Sequence, residues 1–162
     1  MAFEIEPYVG VGSVELGMTR EEVRTAVGAQ ARPVANRGSD PPADFFVDLG
    51  MRVDYRAPGL CTFVEFGGPI SPTFQEQTLL QRPYEETLAW FEPRDPDLLV
   101  DEAGLRSPRF GIALYAPAAQ KQPSDPVEGV AIFERGYYEQ DESERKQRMQ
   151  KIAQRYRVKT KA

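Results

Sequence analysis

The chain reads as an α+β protein: two tandem helix-plus-antiparallel-meander units followed by a C-terminal helix. Three observations predict this. Thr19 and Glu22 form a capping box at the head of a short apolar-striped segment. Runs alternating at period two follow each of two helical segments, and the last residues are rich in Glu, Lys, Arg and Gln, all good helix formers. With 162 residues, 41% of them hydrophobic, the chain can build one full core or two half-sized units sharing one. The expected divisions are 1–66, 67–138 and a charged helix and tail at 139–162.

In the first unit, Gly10, Gly12 and Gly17 punctuate an extended stretch carrying Val9, Val11, Val14 and Leu16. The capping box starts a helix at Arg20, with Val23, Ala26 and Val27 as its stripe and Gly28 where a left-handed terminator belongs. Residues 29–43 read as a proline-containing loop. Three strands are then expected. Phe45, Val47 and Leu49 share a face of the first, Met51, Val53 and Tyr55 of the second, and Leu60, Thr62, Val64 and Phe66 of the third, with Phe63 opposite. Ala57-Pro58-Gly59 supplies a turn.

The second unit repeats the order. After a connection over 67–82, Tyr84 to Phe91 reads as a helix behind Pro83, stopped by Pro93 and Pro96. Leu98 to Val100 suggest a brief strand and Asp101 to Gly104 a turn. Phe110, Ile112 and Leu114 alternate in the next run, and Val127, Val130, Ile132 and Phe133 fill the last, with Gly129 marking a bulge. Residues 116–126 form a loop. The helix at 139–157 has few apolar anchors (Met149, Ile152, Ala153 and Tyr156), which predicts a partly detached helix.

The segment Val11-Gly12-Ser13-Val14-Glu15-Leu16-Gly17-Met18-Thr19-Arg20-Glu21-Glu22-Val23, closing at Val27-Gly28, resembles the leucine-glycine-methionine-threonine opening of two groups. One is the small lipoprotein of the outer-membrane β-barrel assembly machine; the other is the β-lactamase inhibitor protein, which shares its fold. The resemblance implies a helix packed on an antiparallel meander, doubled in the inhibitor, with a curved sheet offered to a target. It further implies similarity to small bacterial immunity proteins, which neutralise a toxin by binding it. The stretch from Leu79 to Phe133 has the same order without the motif, and the cysteines of those families are missing. The motif itself has a structural explanation: Gly17 turns the chain, Met18 packs before the cap, and Thr19 with Glu22 satisfies helix amides.

Composition excludes several chemistries. With no histidine and a single cysteine, Cys61, there is no Ser-His-Asp triad, Cys-His dyad, histidine zinc site or internal disulfide. Cys61 reads as a small buried hydrophobe. Gly10-Val11-Gly12 with Gly17 lacks dinucleotide-loop spacing, and the acids from Glu92 to Glu102 lack calcium-loop spacing. No catalytic, cofactor or metal residues are therefore assigned. The opening Met-Ala-Phe-Glu-Ile-Glu-Pro lacks signal-peptide features and no long apolar run occurs, so a cytoplasmic protein without membrane contact is expected.

Charge is uneven. Residues 139–162 hold four acids and eight bases, a balance of +4, so the remaining 138 carry −9 of the overall −5. An acidic body steers basic partners and disfavours nucleic acid, and the basic tail interleaves only Tyr156 among its charges. The candidate partner-binding residues are Trp90, Glu92, Asp95, Asp97 and Asp101, with Tyr115, Tyr137 and Tyr138 near the sheet end. Trp90 and Phe91 also fit the core stripe of their helix. The expected function is a non-enzymatic inhibitor, of the immunity type, occluding a basic toxin or nuclease domain. The alternatives are a small-molecule module on a concave sheet and a carboxylate-based hydrolase.

Overall fold

A computed structural model describes residues 2–35 and 38–160. Lys161, the last of the basic residues counted in the tail, lies outside the described residues. The opening stretch forms a small antiparallel sheet from β1 (Ile5–Glu6), β2 (Gly10–Val11) and β3 (Val14–Glu15). Gly10 has to be glycine here, because a Cβ would lie 2.2 Å from the Val14 carbonyl oxygen.

Helix α1 (Arg20–Val27) has the expected reciprocal cap. The Glu22 amide donates to Thr19 Oγ1 at 3.2 Å, and the Thr19 amide donates to Glu22 Oε2 at 3.3 Å. Gly28 ends the helix at φ +68°, where its missing Cβ removes the left-handed penalty. Val23 and Val27 are buried, so the predicted stripe is the face that packs.

The main sheet has eight strands, all antiparallel. The first helix is followed by β4 (Arg32–Val34), β5 (Ala43–Phe46), β6 (Met51–Arg56) and β7 (Leu60–Phe66). A hairpin of β8 (Thr73–Phe74) and β9 (Gln77–Thr78) precedes α2 (Tyr84–Phe91). Then come β10 (Leu99–Asp101), β11 (Gly104–Ser107), β12 (Ile112–Tyr115), a 3-10 turn at Pro117–Gln120 and β13 (Gly129–Phe133). The strand order is β10-β11-β12-β13-β7-β6-β5-β4. Two four-stranded meanders thus meet edge to edge at β7 and β13, where Val64 faces Ile132 and Phe63 faces Phe133.

One continuous core covers one face of this sheet. It takes Phe46, Val53, Val64, Ile132, Leu114 and Leu105 from the strands, Val23 from α1 and Phe91 from α2. The opposite, outer face carries a small second cluster at the seam, formed by Phe63, Ala131 and Phe133 with Tyr8, Tyr137 and Tyr138 packed on it. Helix α3 (Tyr137–Thr160) starts there. Its downstream apolar side chains, Met149, Ile152 and Tyr156, are exposed, as the sparse stripe predicted.

Several stretches depart from the expectation: the connection over 67–82 holds the β8–β9 hairpin, and Gly129 pairs in regular register with Tyr115 instead of forming a bulge. The strand expected across Phe45, Val47 and Leu49 stops at Phe46, and Val47 is 56% exposed in the turn that follows. Its inward residues are Asp44 and Phe46, because three donors await the Asp44 carboxylate inside. β4 lies within the segment read as a loop, and β11 replaces part of a segment read as a turn and connection. Each is a short strand stabilised by its neighbour's hydrogen bonds more than by its own apolar content.

Candidate functional site

The outer face differs between the two meanders because of what alternates with the core residues. In one transverse row, paired register places Arg32, Phe45, Arg52 and Glu65 side by side across the first meander. The row continues through Ala131, Ala113, Arg106 and Leu99 across the second. Long ion-paired side chains fill the first part: Arg52 donates to Glu65 Oε2 at 2.9 Å and to Asp54 Oδ1 at 3.1 Å. The next outer row of the second meander runs Asp101, Gly104, Tyr115 and Gly129. Alanine and glycine therefore floor the second part, and the missing side chains leave a groove of about 280 Å³.

Its walls are Phe63 and Tyr138 on the seam side, Tyr115 and Asp101 along the β10–β12 end, and Arg106 and Glu65 between them. Gly104 is obligatory on the floor, and Gly129 is tightly enclosed. A Cβ on Gly104 would lie 1.9 Å from the Leu114 carbonyl oxygen, and one on Gly129 would lie 3.2 Å from both Glu65 Oε1 and Tyr115 Cβ. The Arg106 guanidinium lies over the Tyr138 ring at 4.0 Å and makes no ion pair among the described residues. Asp101 Oδ1 accepts from the amides of Ala103 (2.8 Å) and Gly104 (3.2 Å), which fixes the tight β10–β11 turn. Tyr115 is 50% exposed.

The seam cluster stiffens one wall. Tyr137 stacks on Phe63 with centroids 5.1 Å apart, and the Arg56 guanidinium lies over the Tyr137 ring at 4.6 Å from its centre. Tyr138 meets Phe133 edge to face at 4.9 Å. Glu134, just before α3, has its carboxyl pushed up by burial against the opposing pull of Arg56.

Of the sequence-predicted site residues, the groove brings together Asp101, Tyr115 and Tyr138, with Tyr137 beside it. Trp90, Glu92, Asp95 and Asp97 do not line it. Trp90 belongs to an aromatic cluster with Phe74, Phe91 and Phe110, at centroid distances of 5.7, 4.9 and 6.5 Å, and Arg94 covers it at 4.3 Å. Asp95 is buried. Its carboxylate accepts from Ser107 Oγ at 2.6 Å and from the amides of Arg109 and Asp97 at 3.1 and 2.9 Å. It thus ties the end of α2 to β11 and offers nothing to a partner, whereas Glu92 and Asp97 stay on the surface.

No family model, curated protein or solved structure matches the chain. The chemistry has to be read from the groove's own side chains. Among the described residues no group of His, Cys, Asp and Glu is arranged to hold a metal ion, and no helix is long and apolar enough to cross a membrane. Glu65 and Asp101, the groove's two carboxylates, are both engaged within the chain, by Arg52 and by turn amides. The arrangement is suited to contact: aromatic rings beside a shallow floor, one guanidinium held flat, and surface acids at the β10 end. Sequence reasoning missed Arg106 and the small floor residues. The signal for them was the pattern Gly129, Ala131 alternating with Val130, Ile132, a strand that is large on one side and small on the other.

Proposed function

We propose that this chain is a non-enzymatic protein-binding inhibitor of the immunity-protein kind, acting in the cytoplasm and occluding a basic toxin or nuclease domain with the outer face of its second meander. The groove carries this reading. Tyr115 and Tyr138 stand as aromatic anchors beside a shallow floor of glycine and alanine, with Arg106 next to them, and tyrosine and arginine are the residue types that concentrate binding energy at protein interfaces. Arg106, preset on Tyr138, is ready to donate to a partner carbonyl or carboxylate. The −9 carried by residues 1–138 accelerates encounter with a basic surface. The likeness of residues 11–28 to a family containing an inhibitor agrees with this. A second reading, a small-molecule module, draws on the groove volume of about 280 Å³, near the lower end of ligand cavities.

The test is co-purification of the tagged chain from its native cells at low and high salt. The expected result is one stoichiometric partner, held less well as salt rises, inactive while bound, and lost when Tyr115→Ala and Tyr138→Ala are combined. Capture indifferent to both salt and those substitutions overturns the proposal. Absence of any partner, with a metabolite pool raising Tm instead, transfers the groove to the second reading.

A further inference from the structure

The two edges of the eight-stranded sheet are finished differently. β4 ends it with Arg32-Pro33-Val34, where proline removes an amide donor and the arginine adds charge, both devices that discourage another strand from pairing. β10 ends it with Leu99-Val100-Asp101 and has neither proline nor a basic residue. All three residues are exposed, Leu99 at 48% and Val100 at 53%, and among the described residues β10 has a strand neighbour on its β11 side only. An apolar, uncovered edge of this kind is a template for strand addition.

Charge selects the occupant. Asp97, Asp101 and Glu102 are exposed on and around the edge. A second copy pairing antiparallel about Val100 would set Asp101 opposite Leu99 and bring two acidic edges together, so it offers these acids no cation. We propose that β10 receives, by strand addition, an extended segment of a partner protein that carries Lys or Arg opposite Asp101 and an apolar residue opposite Val100. Asp101 also lines the groove, so the added strand lies along its rim and continues the same binding surface. This rests on reading the chain as a binder of another protein, and adds the partner's local conformation and charge.

The probe is a short capped peptide of alternating lysine and valine, titrated into the isotope-labelled full chain and followed by amide exchange and NMR. Slowed exchange at outward-facing β10 amides and cross-strand contacts to Leu99 and Asp101 are expected. A glutamate-valine analogue should bind about tenfold more weakly. Val100→Pro should abolish protection, and Asp97→Lys with Glu102→Lys should reverse the preference between the peptides. If Val100→Pro lowers Tm, the charge-reversed chain carries the test. The proposal is overturned if the lysine-valine peptide leaves β10 unprotected, protects β4 equally, or is matched by its glutamate analogue. In that event retention of the native partner through Tyr115 and Tyr138 leaves the binding-surface reading standing, while loss of both removes both.

Discussion

Each meander is fastened to its helix by one buried aspartate, and the two fastenings differ in kind. In the first, Asp44 accepts from Arg20 and Arg24 of α1, at 3.1 and 2.7 Å, and from the Tyr55 hydroxyl at 2.9 Å. In the second, Asp95 accepts from Ser107 and two backbone amides, all neutral donors. The outer faces follow the same division. Arg52 pairs with both Asp54 and Glu65 over the first meander, whereas the second is floored by small residues and leaves Arg106 without an ion pair among the described residues. Charges that neutralise each other stabilise a fold, and charges left open meet partners. On the proposed reading the first meander supports and the second makes the contact.

The sharpest way to break that contrast is Asp44→Ala. Burial opposes ionisation of Asp44, but the bonds from Arg24, Arg20 and Tyr55 together outweigh it and hold the carboxyl below the usual carboxylate range. A depressed folded-state pKa means the native state binds fewer protons than the unfolded chain in acid. The stabilisation is therefore complete above the ordinary aspartate value of about 4 and is lost as pH falls below it. Removing the carboxylate also strands the buried Tyr55 hydroxyl, so the loss should be about 3 kcal/mol by urea denaturation near neutral pH. The same variant should lose part of the stability decline seen on acidification. An unchanged acid slope would remove the charged fastening from the account.

Asp95→Ala should cost less, about 2 kcal/mol, since the bonds lost are to uncharged donors although Ser107 is left buried. A double-mutant cycle with Ser107→Ala should return a coupling of about 1 kcal/mol. Asp95→Asn, which keeps an acceptor, should leave the salt dependence of partner association unchanged, because the side chain is inside. A clear change there would return Asp95 to the steering surface on which the sequence alone had placed it.

What was legible in the sequence was local or periodic. The α1 cap could be read because Thr19 and Glu22 satisfy each other within one turn, and β6, β7, β12 and β13 could be read from alternation. β4 and β11 could not. Arg-Pro-Val is extended because β5 lies beside it, and in Gly-Leu-Arg-Ser the inward Ser107 is buried for the sake of Asp95, a residue on the far side of a turn. Of the candidate site, Asp101, Tyr115 and Tyr138 were visible as aromatic and acidic residues. The groove was not, because its floor consists of side chains that are missing, and an absence acquires meaning only once register sets Gly104, Ala113, Gly129 and Ala131 beside one another.

The finest test lies in two consecutive tyrosines that straddle the seam. Tyr137 stacks on Phe63 of β7 and has Arg56 of β6 over its ring, with Phe133 of β13 farther off at 6.4 Å, so its nearer ring contacts are to the first meander. Tyr138 meets Phe133 of β13 and Arg106 of β11, so its contacts belong to the second. If support and contact are divided as argued, Tyr137→Ala should lower stability by about 1 kcal/mol while the partner is retained. Tyr138→Ala should lower stability by less, because Arg106 stays hydrated when the ring goes, yet weaken partner capture several-fold by unsettling the guanidinium. Denaturation and capture measured on the two single variants decide it. The reverse pattern would place the contact surface over Arg52 and Asp54 and make the open groove incidental.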